Sequence, residues 1–274
     1  MHLHIGENIK RLRLARGDTQ EQLAELLHVT APAVSKWERG EAFPDIALVP
    51  ALAEYFGVSA DRLLGTDRTA ESEYYNRAYG GDEYYWGVEP SSMCLEVLRL
   101  LPPSRPLRLL DVGCGEGKDA VFFARCGYDV TAFDISDAGL EKTQALAEKA
   151  RVTVRTFNAN LLHYRLSEPY DILYSSGVFA FIKPELRGEI MENYKAHVSE
   201  GGLVAFHTFV AKPFITRDPK KTRAFYWKSG ELFTYFHDWY IESCCEYVSD
   251  CNSGGAPHKH AANRLFARNI TALP

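Results

Sequence analysis

Apolar residues recur at helical spacing through the first 65 positions, and from about residue 107 they fall into short blocks with amphipathic stretches between them. Ile5, Ile9 and Leu12 mark one helix face, and Leu23, Leu26 and Leu27 mark a second, with Thr19 and Gln22 placed to form a capping box ahead of it. Thr30 is placed to cap a third helix, Ala31-Pro-Ala-Val-Ser-Lys-Trp-Glu-Arg, which stops at Gly40; Pro32 sits in the first turn, where its missing N–H costs nothing. The segment reads as five short helices without a strand, and Pro50 either kinks the fourth or marks its true start. Two helices joined by His28-Val29-Thr30 make a helix-turn-helix.

From Thr66 to about Asp82 the chain is polar and tyrosine-rich without clear apolar periodicity, which reads as a linker leading into a lid. After Tyr84-Tyr85-Trp86-Gly87, a helix built on Met93, Leu95, Val97 and Leu98 stops before Pro102-Pro103. Strands at 107–112, 128–134, 152–157, 170–175 and 202–209, with helices at 117–126, 137–150 and 184–198, predict a parallel, doubly wound α/β sheet. Trp239-Tyr-Ile-Glu and Asn263-Arg-Leu-Phe-Ala-Arg add two strands as a C-terminal antiparallel hairpin. The expected organisation is a small all-α helix-turn-helix domain (1–66), a linker and lid (67–82) and a doubly wound domain (83–274).

The first predicted strand of that sheet breaks into Leu109-Leu-Asp-Val-Gly-Cys-Gly-Glu-Gly117, and the second ends in Asp134, 23 residues past Asp111. Glycines let a backbone turn sharply against a ligand, and an acid at the end of the second strand can accept both hydroxyls of a ribose. The dinucleotide spacing G-x-G-x-x-G is not met, because the glycine after Gly113 and Gly115 is Gly117, one residue early. Asp-Val-Gly-Cys-Gly-Glu-Gly instead resembles motif I of the class I S-adenosylmethionine (SAM)-dependent methyltransferases, and the resemblance runs on to the C-terminus. It implies a Rossmann-like domain with SAM as cofactor and S-adenosylhomocysteine as product. The cofactor would lie against Asp111, Gly113, Cys114, Gly115, Asp134, Ile135, Asn160, Leu161 and Ser175, with Asn160 at a position that is often Asp and touches the adenine amino group. Read from the residues alone, Asn160 also serves as a turn residue, and Ser175 and Ser176 as a satisfied loop. With Gly-Glu-Leu-Phe-Thr-Tyr-Phe at 230–236, the tail looks most like the tellurite-resistance methyltransferases and the small-molecule methyltransferases around them.

Ser-Lys-Trp-Glu-Arg-Gly at 35–40 and Tyr-Phe-Gly-Val-Ser-Ala-Asp-Arg-Leu-Leu-Gly at 55–65 make the N-terminal segment similar to the Cro/phage-repressor (XRE) family of DNA-binding domains. That resemblance implies a helix from Ala31 in the major groove of double-stranded DNA, with Ala31, Pro32 and Lys36 facing base edges, Gln20 facing a phosphate, and a homodimer. Ala31 and Pro32 depart from the polar residues common there; they can touch a thymine methyl but form no bidentate hydrogen bonds. Residues 1–65 carry seven Lys/Arg against nine Asp/Glu, a net of −2, so DNA affinity is expected to be modest, with Lys10, Arg11, Arg13 and Arg16 as a local basic strip. A module that has lost its operator would instead serve in dimerisation or peptide docking.

The 274 residues are 46% apolar with a formal charge of −5, enough for a sizeable core. No stretch reads as membrane-spanning or as a signal peptide, which leads to the expectation of a cytoplasmic protein with no membrane partner. The six cysteines lack a disulfide-framework spacing, and Cys244, Cys245, Cys251, His258 and His260 fit no zinc motif, so no metal is expected. For a small-molecule methyl acceptor, soft anions such as thiolates, selenides or tellurium species need positioning alone, whereas oxygen or nitrogen acceptors need a base, for which His207 is the best-placed residue. Tyr84, Tyr85 and Trp86 would enclose the methyl group, or else plug the seam between domains; His258, His260 and Arg264, after a loop with Gly254-Gly255, would line the acceptor mouth. Three functions follow: a small-molecule methyltransferase tethered to a DNA-binding module, a transcription regulator that senses SAM without turnover, and a nucleic-acid methyltransferase. Asp171-Ile-Leu-Tyr-Ser-Ser, where amino-methylating DNA enzymes carry Asn/Asp-Pro-Pro-aromatic, argues against the last.

Overall fold

A computed structural model of the chain describes residues 4–65, 69–215, 224–251 and 257–270. The chain divides into two compact units, Met1–Tyr74 and Tyr75–Pro274. The expected boundary at 66, the first two linker residues and Gly254-Gly255 lie outside the described residues.

The first unit holds α1 (Ile5–Arg16), α2 (Gln20–Leu26), α3 (Ala31–Glu38), α4 (Val49–Phe56) and α5 (Ala60–Leu64). The capping box forms as its residues predict: Thr19 accepts from the Gln22 N–H and Gln22 accepts from the Thr19 N–H. Thr30 is the N-cap of α3 by position, but its side chain makes no capping bond, and Pro32 occupies the first turn. Pro50 likewise stands in the first turn of α4 and marks its start. Ile9, Leu23, Val34, Leu52 and Leu63 are fully buried at the centre, where each such side chain contributes about 1.5–3 kcal/mol.

Buried beside that core, Arg13 donates Nε and Nη2 to the two oxygens of Glu38 at 2.6 and 2.9 Å, and Gln20 donates to the same carboxylate at 2.7 Å. Burial alone would raise Glu38; the bonds from Arg13 and Gln20 win and hold its carboxyl below the usual range. Gln20, expected to face a phosphate, is thus engaged inside the unit. Of the four cations of the expected basic strip, Arg13 is also drawn inward, to Glu38, while Arg16 stays exposed, paired with Asp18 and 4.4 Å from the centroid of the Tyr55 ring. Pro32 and Lys36 are exposed on α3, while Ala31 is half-buried against the core.

In the second unit, β1 (Arg108–Val112), β2 (Asp129–Asp134), β3 (Arg155–Asn158), β4 (Tyr170–Ser176), β5 (Val198–Val210), β6 (Tyr240–Cys251) and β7 (His258–Arg268) form one sheet in the order β3-β2-β1-β4-β5-β7-β6. The first five are parallel, and β7 runs antiparallel to both β5 and β6. Leu109, Ile172 and Ala205 face α7 (Ser92–Leu100) and α8 (Lys118–Arg125). Leu110, Leu173, Val204 and Phe206 face α10 (Pro184–Ala196) and α11 (Glu231–Phe236) on the other side. The helix expected at 137–150 is α9 (Asp137–Ala150).

The hairpin is longer than predicted, because β6 is exposed or half-exposed on both faces along its length and the first three residues of β7 are as well, so neither carries apolar alternation there. The segment read as linker is largely a helix, α6 (Ala70–Tyr79). Its start is capped by Thr69 and Ser72, each accepting the other's backbone N–H at 3.2 and 3.0 Å, a capping box with Ser in place of Glu or Gln.

Candidate active site

The carboxyl end of β1 is shaped by backbone before side chains. The Gly113 and Cys114 N–H groups donate to the Phe133 carbonyl at 2.9 and 3.0 Å, turning the chain over the end of β2. Gly113 has φ +74°, and a Cβ there would lie 2.6 Å from Val178; Gly117, at +81°, would drive one into the Thr143 side chain.

Two acids floor this cradle. Asp134 accepts the Gly115 N–H on one oxygen and the Ser136 N–H on the other, both at 2.9 Å. Burial raises its carboxyl above the usual range against the pull of those backbone donors, and each oxygen keeps lone-pair capacity for a further donor. Asp111 is 2% exposed, and among the described residues its Oδ2 has no hydrogen-bond partner. Burial, with Asp119 and Asp134 adding repulsion, pushes Asp111 well above the carboxylate range.

Residues 76–86 pack over the cradle. Asn76 Oδ1 accepts from the Ser136 hydroxyl at 2.9 Å and the Ala138 N–H at 3.1 Å. Trp86 Nε1 donates to the Tyr79 hydroxyl at 2.9 Å, and that hydroxyl stands 3.3 Å from where a Cβ on Gly115 would be. Glu116, which sequence reasoning missed, fastens the lid: its carboxylate accepts the Tyr85 and Trp86 N–H groups, both at 3.2 Å, and Lys142 Nζ at 2.9 Å. The Lys142 ammonium also lies 5.1 Å from the centre of the Tyr84 ring. In the sequence Glu116 stands only as the polar residue between Gly115 and Gly117.

Three expected cofactor residues have other partners. Ser175 is fully buried and donates to the Val112 carbonyl at 3.0 Å, bracing β4 to β1. Leu161 packs into the core beneath the sheet. Asn160 Oδ1 accepts the Leu162 N–H at 3.0 Å, the turn arrangement that its residue type also allowed. Ile135 follows Asp134 half-buried, and its carbonyl accepts from Asn158. Burial raises the Cys114 thiol well above its ordinary value and keeps it protonated.

The sheet register extends the site sideways. Asp111, Tyr174, Ala205 and Phe266 lie in one cross-strand row; Ser176, His207 and Arg264 form the next row on the same face, one pleat toward the carboxyl end. His207 Nδ1 and Arg264 Nε are buried without a hydrogen-bond partner among the described residues. Arg264 donates Nη2 to Ser92 Oγ and to the Tyr247 hydroxyl, each at 3.2 Å. His258 and His260 continue this face, their Nε2 atoms 2.9 Å apart. His258, His260 and Arg264 therefore lie along one face of β7. An open groove of about 670 Å³ beside Lys212, Cys244, Glu246 and Asn263 opens on the other face, by the alternation of β7, and is not this site.

Burial, with the charges of Arg264 and His260, pushes His207 down to about 4, so it is neutral at pH 7 and a weak base. A histidine that ionises at 6.5 unfolded and about 4 folded adds stability fully present above 6.5 and lost as pH falls from 6.5 toward 4, by at most about 3 kcal/mol for a group with some solvent access. Urea titrations at pH 7 and pH 5 should show a larger stability loss for the native chain than for His207→Gln; equal losses would mean that the imidazole is solvated.

Residues 76–271 match the family model of the tellurite resistance protein TehB, and residues 9–63 match a helix-turn-helix family. The chain is 29% identical over 171 residues to a probable SAM-dependent methyltransferase TehB of Haemophilus influenzae, covering 61% of this chain and 57% of that one. It thus spans a little over half the length of this curated relative. It is 35% identical over 88 residues to the HTH-type transcriptional activator BcrR of Enterococcus faecalis, covering 28% of this chain and 43% of that one. The crystal structure of H. influenzae TehB superposes with a TM-score of 0.59 at 21% identity, over 73% of this chain and 67% of that one, a shared fold.

Proposed function

Because the chain belongs to the TehB family of tellurite resistance proteins, we propose that its second unit transfers a methyl group from SAM to a small, soft, anionic acceptor, and that its first unit is a DNA-binding module. The observation that carries the reading is the Asp111 carboxyl, buried under a glycine cradle with an oxygen that lacks a partner among the described residues. A buried acid of this kind is costly by itself, and a ligand bearing an ammonium and a sulfonium relieves that cost. The glycines let the turn pass close against Val178 and Thr143, Asp134 has capacity for ribose hydroxyls, and the Tyr79–Trp86 pair packs over Gly115.

When bound, SAM supplies an activated methyl group. Asp111, Asp134 and the turn through Gly113–Gly117 would hold SAM, whose carbon–sulfur bond would give up the methyl group to the acceptor's lone pair and leave its electrons on sulfur as S-adenosylhomocysteine. A soft anion needs no proton removed at that step, which suits a site whose nearest imidazole ionises at about 4. Arg264, opposite His207, supplies a donor and a positive charge that orient an anion. With Arg13 turned inward and Gln20 engaged by Glu38, the first unit is left to contact DNA through the exposed residues of α3 and the exposed Lys10 and Arg16 of α1, consistent with weak, dimer-dependent binding.

Calorimetric titration of SAM, with thiol, selenide, tellurite, phenol and amine acceptors screened for release of S-adenosylhomocysteine, tests the enzyme reading. Binding with turnover on a soft acceptor is the expected result. Binding without turnover on any acceptor would make the unit a SAM-sensing regulator, and absence of binding would overturn both.

A further inference from the structure

Cys251 and His258 are directly opposed as the last described pair of the β6–β7 ladder, and His260, two residues along β7, shares their face. One side-chain donor atom from each residue lies within 4.8 Å of the other two. The two imidazole rings stand at 84° and their Nε2 atoms are within hydrogen-bond distance, 2.9 Å, so the pair holds two nitrogens together that can share a proton or a cation. Tetrahedral zinc with Zn–N near 2.05 Å and Zn–S near 2.3 Å needs nitrogens about 3.3 Å and sulfur about 3.6 Å apart, within an ångström or so of what the hairpin presents.

The surroundings favour the same atoms. Tyr226 Oη lies 3.4 Å from His260 Nδ1, an outer partner that orients the ring with Nε2 toward the cluster. The Phe209 ring, 4.5 Å from that of His260, packs against it. On the opposite face, Lys259 pairs with Asp250 at 2.6 Å across the neighbouring rung.

We propose that Cys251, His258 and His260 bind a divalent cation of the zinc class at the end of the β6–β7 ladder where the chain passes from one strand to the other. One thiolate and two imidazoles form a borderline-soft set that prefers Zn²⁺ or Co²⁺ to Mg²⁺ or Ca²⁺. Three protein ligands leave a fourth position open to water or a thiol, and that position lies on the sheet face that carries His207 and Arg264. This inference does not depend on SAM binding.

Full-length protein stripped with a chelator and titrated with Co²⁺ should bind one equivalent, with tetrahedral visible bands and a sulfur-to-cobalt charge-transfer band. Cys251→Ser should abolish that band, Cys245→Ser should leave it, and His258→Ala should weaken binding more than about tenfold. His258 is exposed, so that variant reports on ligation without disturbing the core. A charge-transfer band absent from the native chain, or persisting in Cys251→Ser, would overturn the site.

Discussion

Glu38→Ala is expected to unfold the N-terminal unit while the sheet unit stays folded. The substitution leaves the Arg13 guanidinium, 9% exposed at its side chain, without its two-pronged partner and removes the acceptor of Gln20. Removing one member of a buried ion pair costs about 3–5 kcal/mol. A core of some 65 residues rarely supplies more than that. Hydrogen exchange should show the amides of α1 to α3 fully exposed in Glu38→Ala but protected in the native chain. Replacing both partners, as in Arg13→Met with Glu38→Leu, should restore protection, because no charge is then buried alone. Native-like exchange in the single variant would mean that water reaches the pair and screens it.

Asp134→Ala carries the second large effect. The carboxylate supplies two structural bonds, to Gly115 and Ser136, and is the acceptor proposed for the ribose. Losing a charged acceptor costs about 1.5–3 kcal/mol, so SAM affinity should fall by roughly 10- to 150-fold by calorimetry. The fold itself should lose less, since the buried acid is raised in the folded state and its removal lifts a destabilisation present above the unfolded pKa. Unchanged SAM affinity would move the ribose site elsewhere.

The glycine turn was legible because its constraint is local: Gly113 and Gly117 must be glycine for the path of their own backbone. The Thr19–Gln22 capping box and the proline starts of α3 and α4 were legible for the same reason, each being a bond or a missing donor within one turn. Helix α6 carried a signal as well, in Thr69 and Ser72, but a Ser in the third position looks like any polar loop until its hydroxyl is seen to accept the Thr69 N–H. Glu116 and Ser175 show the limit. One fastens a lid 30 residues away and the other braces a strand 63 residues away, and neither partner is encoded near its own position.

The order of the strands, most of the helices, the unit of short helices ahead of the sheet and the acids at the ends of β1 and β2 were already written along the chain, because periodicity, caps and glycine turns act over a few residues. The partners of buried charges depend instead on register and crossover. Folding alone brought Glu38 to Arg13, left Asp111 with an unsatisfied oxygen, faced His207 with Arg264 and set Cys251 rather than Cys244 or Cys245 across from His258. A one-residue slip in the β6–β7 ladder would have turned Cys251 away from the histidines, and nothing local in that polar hairpin forbids it.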